Sequence, residues 1–145
     1  MLEIRKVREV DKDIILEWRN NPSVYKYALN PNPISIDNHE KWFAKVLINE
    51  TCFFYMGIFA GKKCGTVRYD LFENKLEAEV SISLAPEFWG KGLALKLMEI
   101  GEARLKSESA VNVIHATVLN ENSASISLFL KSEFYPYLTK LKKEI

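Results

Sequence analysis

The sequence predicts an α+β fold with one mixed, mostly antiparallel central sheet flanked by helices. Three observations carry that expectation. Thr51 to Leu84 holds three strand-like stretches parted by short polar turns. A glycine-bearing turn, Trp89 to Ala94, opens a helical stretch that is apolar around more than half of its circumference at its start, as suits a helix packed on a sheet. A further strand-like stretch, Val111 to Leu119, follows that helix and makes the sheet mixed.

Each element follows from local pattern. Glu3 to Val7 alternates loosely, as an opening strand does. Asp11 to Arg19 is predicted helical, with Ile14, Ile15 and Trp18 facing inward and Asp11 or Asp13 as the N-cap. Asn20, Asn21 and Pro22 break it. Residues 21 to 33, with Pro22, Pro31, Pro33 and several Asn, are expected as loop or irregular turns. Ser35 resembles an N-cap for a helix from Ile36 to about Leu47, whose stripe is Ile36, Phe43 and Leu47 with His39, Trp42 and Val46 beside it. Thr51 to Ala60 is apolar and aromatic-rich and reads as a strand. Gly61 to Lys63 forms a turn, and Cys64 to Leu71 is a second strand closed by Glu73, Asn74 and Lys75. Leu76 to Leu84 alternates, with Ala78, Val80, Ile82 and Leu84 on one face and Glu77, Glu79, Ser81 and Ser83 on the other. The short spacers imply two hairpins and three antiparallel neighbours. After Pro86 and the glycine turn a helix runs to about Ser107. Val111 to Leu119 is a strand, Ser123 to Lys131 a short helix, and Tyr137 to Leu141 a candidate last strand.

The 145 residues are expected to form one domain, 1 to 145, with 48% apolar and 27% charged types. The 20 Lys and Arg against 19 Asp and Glu leave a formal +1. That balance argues against nucleic acid as the main ligand but leaves room for a small anionic one. No apolar run approaches membrane-spanning length, and the charged start at Met1 to Lys6 is not followed by the apolar stretch of a signal peptide. A cytoplasmic protein is expected, with no membrane partner. Cys52 and Cys64 lack zinc-type neighbours and are expected as small buried hydrophobes in a reducing compartment, a redox pair being the alternative.

The glycine turn is the strongest local signal. Gly90 and Gly92 have no Cβ to shield their amides, and a helix starting there leaves up to four N–H groups unpaired. Those donors and the helix dipole can cradle a phosphate or diphosphate, with Lys91 at the rim. A plain tight turn before a helix is the alternative. The order of residues is neither a P-loop nor a dinucleotide fingerprint after the first strand. Glu79 lies nearer that turn than Glu77 and is the better general-base candidate, against a solvated sheet face. His39 reads as a structural or capping histidine and His115 as a satisfied core or sheet-face one. Neither has a metal-type neighbour at i+4, so no metal site is expected. Trp18, Arg19 and Asn20 put a stacking surface, a guanidinium and an amide before the proline-rich loop. That suits a polar, anionic substrate, or equally a helix C-terminus with Arg19 at the negative end of the dipole.

Two stretches resemble the GNAT family of N-acetyltransferases. The family's cofactor motif is Arg or Gln, two residues, Gly, one residue, then Gly or Ala. Here Gly92 and Ala94 fit, and Trp89 stands at the Arg or Gln position, as in the ribosomal-protein alanine acetyltransferase-like branch. The second stretch keeps Asn122, Ser125, Lys131 and Phe134, with Glu133 in place of the usual Gly. With the three preceding strands, the resemblance covers essentially the whole chain. It implies acetyl-CoA as cofactor. Trp89, Gly90, Lys91, Gly92, Leu93 and Ala94 would take the diphosphate. Backbone groups near Ser83 and Leu84 would hold the pantetheine arm, and Asn122, Ser125 and Phe129 the thiol end. Glu79 would deprotonate the amine. Phe129 stands where many relatives carry a proton-donating Tyr, which leaves Tyr135 as the candidate donor.

The amino-terminal half, Trp18 to Pro22, then Ile34, Ser35, His39, Trp42 and Phe43, resembles bacterial enzymes that acetylate the 4-amino group of a UDP-linked 4-amino-4,6-dideoxy sugar in pseudaminic acid synthesis. Carried over, Arg19 and Lys26 would meet nucleotide phosphates, while Trp18 and His39 would shape the sugar pocket. The expected activity is acetyl transfer to the primary amine of a small molecule, an aminosugar nucleotide of surface polysaccharide synthesis. The alternatives are acetylation of a protein N-terminal amine and a non-catalytic acyl-CoA-binding module. Homodimers are common in the family, and no residue here specifies one.

Overall fold

The computed structural model describes residues 1–145. Its centre is a five-stranded sheet in the order β1 (Leu2–Lys6), β2 (Cys52–Phe59), β3 (Lys62–Leu71), β4 (Glu77–Leu84) and β5 (Val113–His115). The first four strands are antiparallel neighbours, and β5 runs parallel to β4. The helices are α1 (Lys12–Arg19), α2 (Pro22–Tyr25), α3 (Ile36–Ile48), α4 (Leu93–Glu108) and α5 (Ser123–Lys131). The expected mixed, mostly antiparallel sheet with flanking helices is therefore present. No helix is long and apolar enough to cross a membrane.

One face of the sheet carries α4. Leu93, Leu97, Met98, Gly101 and Leu105 are its buried positions. The approach is close. A Cβ on Gly101 would stand 2.8 Å from Tyr69 Oη and 3.0 Å from Val67 Cγ1, and one on Gly57 would stand 3.1 Å from Leu97 Cδ1. The opposite face carries α3, whose Trp42 meets Phe54 edge-on at 6.0 Å, and Arg68 lies 5.3 Å over the Trp42 ring. His39 is buried and its Nε2 lies 2.8 Å from the Lys12 carbonyl, tying α3 to α1. Ser35 caps α3 as expected, its Oγ accepting the Asn38 N–H.

Four local expectations need correction. Asp11 precedes α1 but its side chain does not cap it. The carboxylate is buried and accepts from Arg5 at 2.7 and 2.9 Å, from Lys63 at 2.8 Å and from the Arg8 N–H at 2.8 Å. Charged donors outcompete the helix amides for it. Within residues 21 to 33, Pro22–Tyr25 forms one helical turn, because Asn21 accepts from the Ser23 N–H and Pro22 supplies a pre-set first position. The predicted strand Val111 to Leu119 shrinks to Val113–His115, because the chain turns away from β4 after His115 and only three of its residues pair. The candidate strand Tyr137 to Leu141 is coil. It pairs with no strand, and Tyr137 reaches β5 through its side chain alone.

Both cysteines are free. Burial pushes the Cys52 thiol up to about 12, with Asp70 adding to the rise, and burial raises the Cys64 thiol as well. Each stays protonated at neutral pH, as small core-type side chains do.

Candidate active site

The site begins where two strands part. β4 and β5 pair only at Glu77 with Val113, Ala78 with Ile114 and Glu79 with His115. Beyond that point the chain after His115 leaves the sheet, so Val80 to Leu84 have no strand partner on that side. Alternate backbone groups of this stretch therefore face an open wedge rather than a ladder.

The wedge runs to the loop before α4. The Ala85 N–H donates to the Cys64 carbonyl at 2.8 Å, and the Trp89 indole N–H donates to the Leu84 carbonyl at 3.0 Å. Phe88 is buried edge-on against Phe59. These contacts anchor the loop base, while Gly90, Lys91 and Gly92 remain exposed. Gly90 sits at φ +76 and Gly92 at φ +72, with no atom within 4 Å of an added Cβ. Glycine is thus required there by backbone conformation and not by crowding. Gly92 is the N-cap of α4 and offers no side chain to the helix amides. The N–H groups of Gly90, Lys91 and Gly92 have no protein acceptor, and those of Leu93, Ala94 and Leu95 have no intrahelical partner by the geometry of a helix start. Lys91 stands beside them with its Nζ 5.6 Å over the Phe88 ring. A row of unsatisfied donors at the positive end of a 16-residue helix can receive an anion. An open strand edge leading into it fits a thin, amide-bearing arm ending in a diphosphate, which is the shape of acetyl-CoA.

Polar groups gather where β4 and β5 part. Glu79 is half-buried, accepts the Thr117 hydroxyl at 2.6 Å, and stands in register between Asp70 on β3 and His115 on β5. Glu77 Oε1 lies 2.8 Å from His115 Nε2, and Glu77 Oε2 accepts from Asn74 at 3.0 Å. The His115 bond, then the Asn74 bond, hold the Glu77 carboxyl below its usual range against a smaller opposing effect of burial. His115 Nδ1 lies 2.8 Å from the Tyr137 hydroxyl, and its ring stacks on Phe72 at 5.0 Å. Sequence reasoning treated His115 as a passive strand residue and did not single out Tyr137. The one available signal was the placement of Glu77 and Glu79 on a common face of the neighbouring strand.

The other sequence candidates fall into three settings. Ser83 and Leu84 lie on the open β4 edge, with the Leu84 carbonyl already taken by Trp89. Asn122 caps α5 by accepting the Ser125 N–H at 3.2 Å. Phe129 is buried edge-on against Phe134, and Tyr135 is exposed on the coil that follows. Trp18 and His39 are buried in the α1–α3 layer, whereas the wedge lies between β4 and β5. Arg19 donates from Nη2 to the Asn30 carbonyl at 2.7 Å, burial lowers its pKa, and its Nη1 is buried without a partner. Lys26 is exposed over the Tyr27 ring.

Two concavities lie outside the wedge. One of about 330 Å3, lined by Val7, Val46, Leu47, Phe53 and Phe54 among others, is mostly apolar and sits at the sheet end away from the glycine loop. One of about 310 Å3, lined by Phe59, Lys62, Glu87, Phe88 and Lys91, adjoins that loop. The larger holds none of the polar groups gathered at the strand fork, so size does not mark the chemistry here.

Residues 1–135 match the acetyltransferase (GNAT) domain family. An uncharacterized protein of Methanocaldococcus jannaschii is 25% identical over 136 residues, which are 87% of this chain and 26% of that protein. The chain thus spans about a quarter of the length of the curated relative it matches. A crystallised domain from the same organism superposes with a TM-score of 0.80 at 23% identity, over 93% of this chain and 88% of the other. An aminoglycoside acetyltransferase solved with coenzyme A gives 0.80 at 20% identity, over 93% and 84%. Spermidine N-acetyltransferase from Vibrio cholerae, solved with CoA and spermine, gives 0.77 at 23% identity, over 90% and 78%. At these identities the likeness is one of fold.

Proposed function

The chain belongs to the GNAT acetyltransferase family, and from that premise we propose that it transfers the acetyl group of acetyl-CoA to the primary amine of a small molecule. The observation that carries the reading is the open β4 edge ending in unpaired amides at Gly90 to Gly92. Bound acetyl-CoA supplies a thioester carbonyl carbon open to attack by a neutral amine, the nitrogen–carbon bond forming as the carbon–sulfur bond breaks.

The chain's own groups do the rest. The amides from Gly90 to Ala94 and the α4 dipole hold the diphosphate, with Lys91 adding charge. The unpaired N–H groups of the β4 edge near Ser83 and Leu84 hold the pantetheine amides and stabilise negative charge developing on the carbonyl oxygen. Asn122, Ser125 and Phe129 border the thiol end. Primary amines are mostly protonated near neutrality, so the acceptor must lose a proton before it attacks. Glu79 holds the ammonium and takes that proton directly or through water. Tyr135 gives a proton to the departing sulfur.

The acceptor is an aminosugar nucleotide in this reading, in a cytoplasmic route to a surface polysaccharide. Arg19, with one guanidinium nitrogen unpartnered, and the exposed Lys26 are the groups suited to its phosphates. One observation favours a second acceptor class. Asp70, Glu77 and Glu79 share the sheet face at the strand fork, which suits an amine bearing several positive charges.

Calorimetric titration with acetyl-CoA tests the premise, and absence of binding removes the reading. Turnover on a UDP-linked 4-amino sugar, on spermidine and on an N-terminal peptide then separates the acceptors. Glu79→Gln is expected to lower kcat by about 10²-fold, most at low pH, where the ammonium is hardest to deprotonate. A pH–rate profile of unchanged height and shape would remove Glu79 from this role.

A further inference from the structure

We propose that Tyr137, His115 and Glu77 form the path by which the acceptor's proton leaves the site. Tyr137 is the catalytic group that meets the attacking nitrogen once Glu79 has taken its first proton, and His115 and Glu77 are the positioning groups behind it. The inference rests on the transferase reading above and adds to it a residue set outside both motif stretches.

Place is the first argument. His115 is the last residue of β5 to pair with β4, directly beside Glu79, so its side chain lies on the face where the wedge opens. Order is the second. Glu77 Oε1 lies 2.8 Å from Nε2, and the Tyr137 hydroxyl lies 2.8 Å from Nδ1. A carboxylate can only accept at Nε2, so that nitrogen carries the proton and Nδ1 is left as the acceptor for the Tyr137 O–H. Glu77 is itself steadied by Asn74 at 3.0 Å, and the imidazole plane by the Phe72 ring stacked on it at 5.0 Å. A hydroxyl in front, an imidazole behind it and a carboxylate fixing the imidazole is the arrangement that moves a proton off a nucleophile. Exposure is the third argument. A merely structural histidine has no need of an outer partner, yet here the outermost member is a tyrosine 68% exposed to solvent.

The step balances. Glu79 takes the first proton of the ammonium before attack. Once the nitrogen–carbon bond forms, the second proton on that nitrogen passes to Tyr137 Oη as the phenolic proton passes to His115 Nδ1. The nitrogen is left neutral, as the product amide requires when the carbon–sulfur bond breaks. The imidazolium that forms faces Glu77 and Glu79 from β4, with Phe72 from the turn after β3 and Tyr137 from the C-terminal segment completing its surroundings. It returns its proton to solvent before the next turnover. An imidazole suits this transfer because it titrates nearest to neutrality among the side chains.

The test uses the full chain with acetyl-CoA and whichever of spermidine, kanamycin or a UDP-linked 4-amino sugar it turns over. The readouts are kcat/KM across the neutral pH range and the acetyl-CoA dissociation constant by calorimetry. His115→Asn is expected to flatten the rising limb near neutrality and lower kcat/KM by about 10²-fold, with acetyl-CoA affinity within about twofold of wild type. Tyr137→Phe is expected to lower kcat without moving affinity, and it decides the matter alone if His115→Asn does not fold. Glu77→Gln is expected to lower kcat/KM with acetyl-CoA affinity unmoved, since the imidazole loses the carboxylate that fixes its tautomer. A limb of wild-type height and position in Tyr137→Phe and His115→Asn would overturn the path while leaving the transferase reading intact. A wild-type protein that neither binds acetyl-CoA nor acetylates any of these amines would overturn both.

Discussion

Gly92→Ala and Gly61→Ala make a matched pair. Both glycines are left-handed, at φ +72 and φ +78, and in neither case would an added Cβ meet an atom within 4 Å. An alanine held there costs about 1–2 kcal/mol. Gly61 lies in the tight turn between β2 and β3, where Phe59 pairs with Lys62. The turn cannot relax without breaking that register, so the cost falls on stability, and a melting point lower by roughly 3–6 °C is expected for a chain of this size. Gly92 lies in an exposed stretch whose amides bond to nothing in the protein. There the alanine relaxes to negative φ in the free protein at little cost. Ligand binding must then restore the left-handed turn that aims the amides, so the same 1–2 kcal/mol appears as a dissociation constant for CoA raised about 5- to 30-fold. Calorimetry with CoA and thermal melting of both variants check this. Wild-type CoA affinity in Gly92→Ala would show that these amides are not the diphosphate's partners.

Further outcomes concern the scaffold. Asp11→Asn removes the charge that Arg5 and Lys63 share. Because both cations keep partial access to water, the loss is expected at about 2–3 kcal/mol by chemical denaturation, below the full penalty for breaking a buried pair. Burial alone would raise the Asp11 pKa, but the hydrogen bonds from Arg5, Lys63 and the Arg8 N–H outweigh it and hold the carboxyl well below its usual range. A carboxyl so depressed contributes in full above its unfolded value near ~3.9 and progressively less as pH falls below it. Wild-type stability is therefore expected to fall more steeply than that of Asp11→Asn below about pH 4, and parallel acid titrations would refute this. The fully buried Tyr69 hydroxyl has no partner, so Tyr69→Phe is expected to add about 1 kcal/mol. Gly101→Ala drives a Cβ against that same hydroxyl and is expected to cost about 1–3 kcal/mol, less in a Tyr69→Phe background. A double-mutant cycle by thermal melting reads the coupling, and strict additivity would contradict the contact.

Legibility followed the range of the interaction. The alternation of Ala78, Val80 and Leu84 and the apolar start of α4 are local patterns, and both mark surfaces that the fold buries. The glycine turn was equally plain, since a left-handed residue before a helix leaves a chemical trace in the residue itself. Strand pairing left no such trace. Val111 to Leu119 has the composition of a strand throughout, yet only three residues find a partner. Asp11 carries the signature of a helix cap, yet Arg5 and Lys63 claim it. Nor does local pattern show that Trp18 and His39 are buried in the layer that joins α1 to α3.

Periodicity and glycine placement thus determined the class of fold, the buried faces and the left-handed glycine turn before α4, because each depends on neighbours within a turn or a hairpin. The forking of β4 from β5 and the joining of His115 to Glu77, 38 residues apart in the chain, were settled by folding alone. Contacts at such separation depend on where a whole sheet edge ends, and no run of adjacent residues encodes that point.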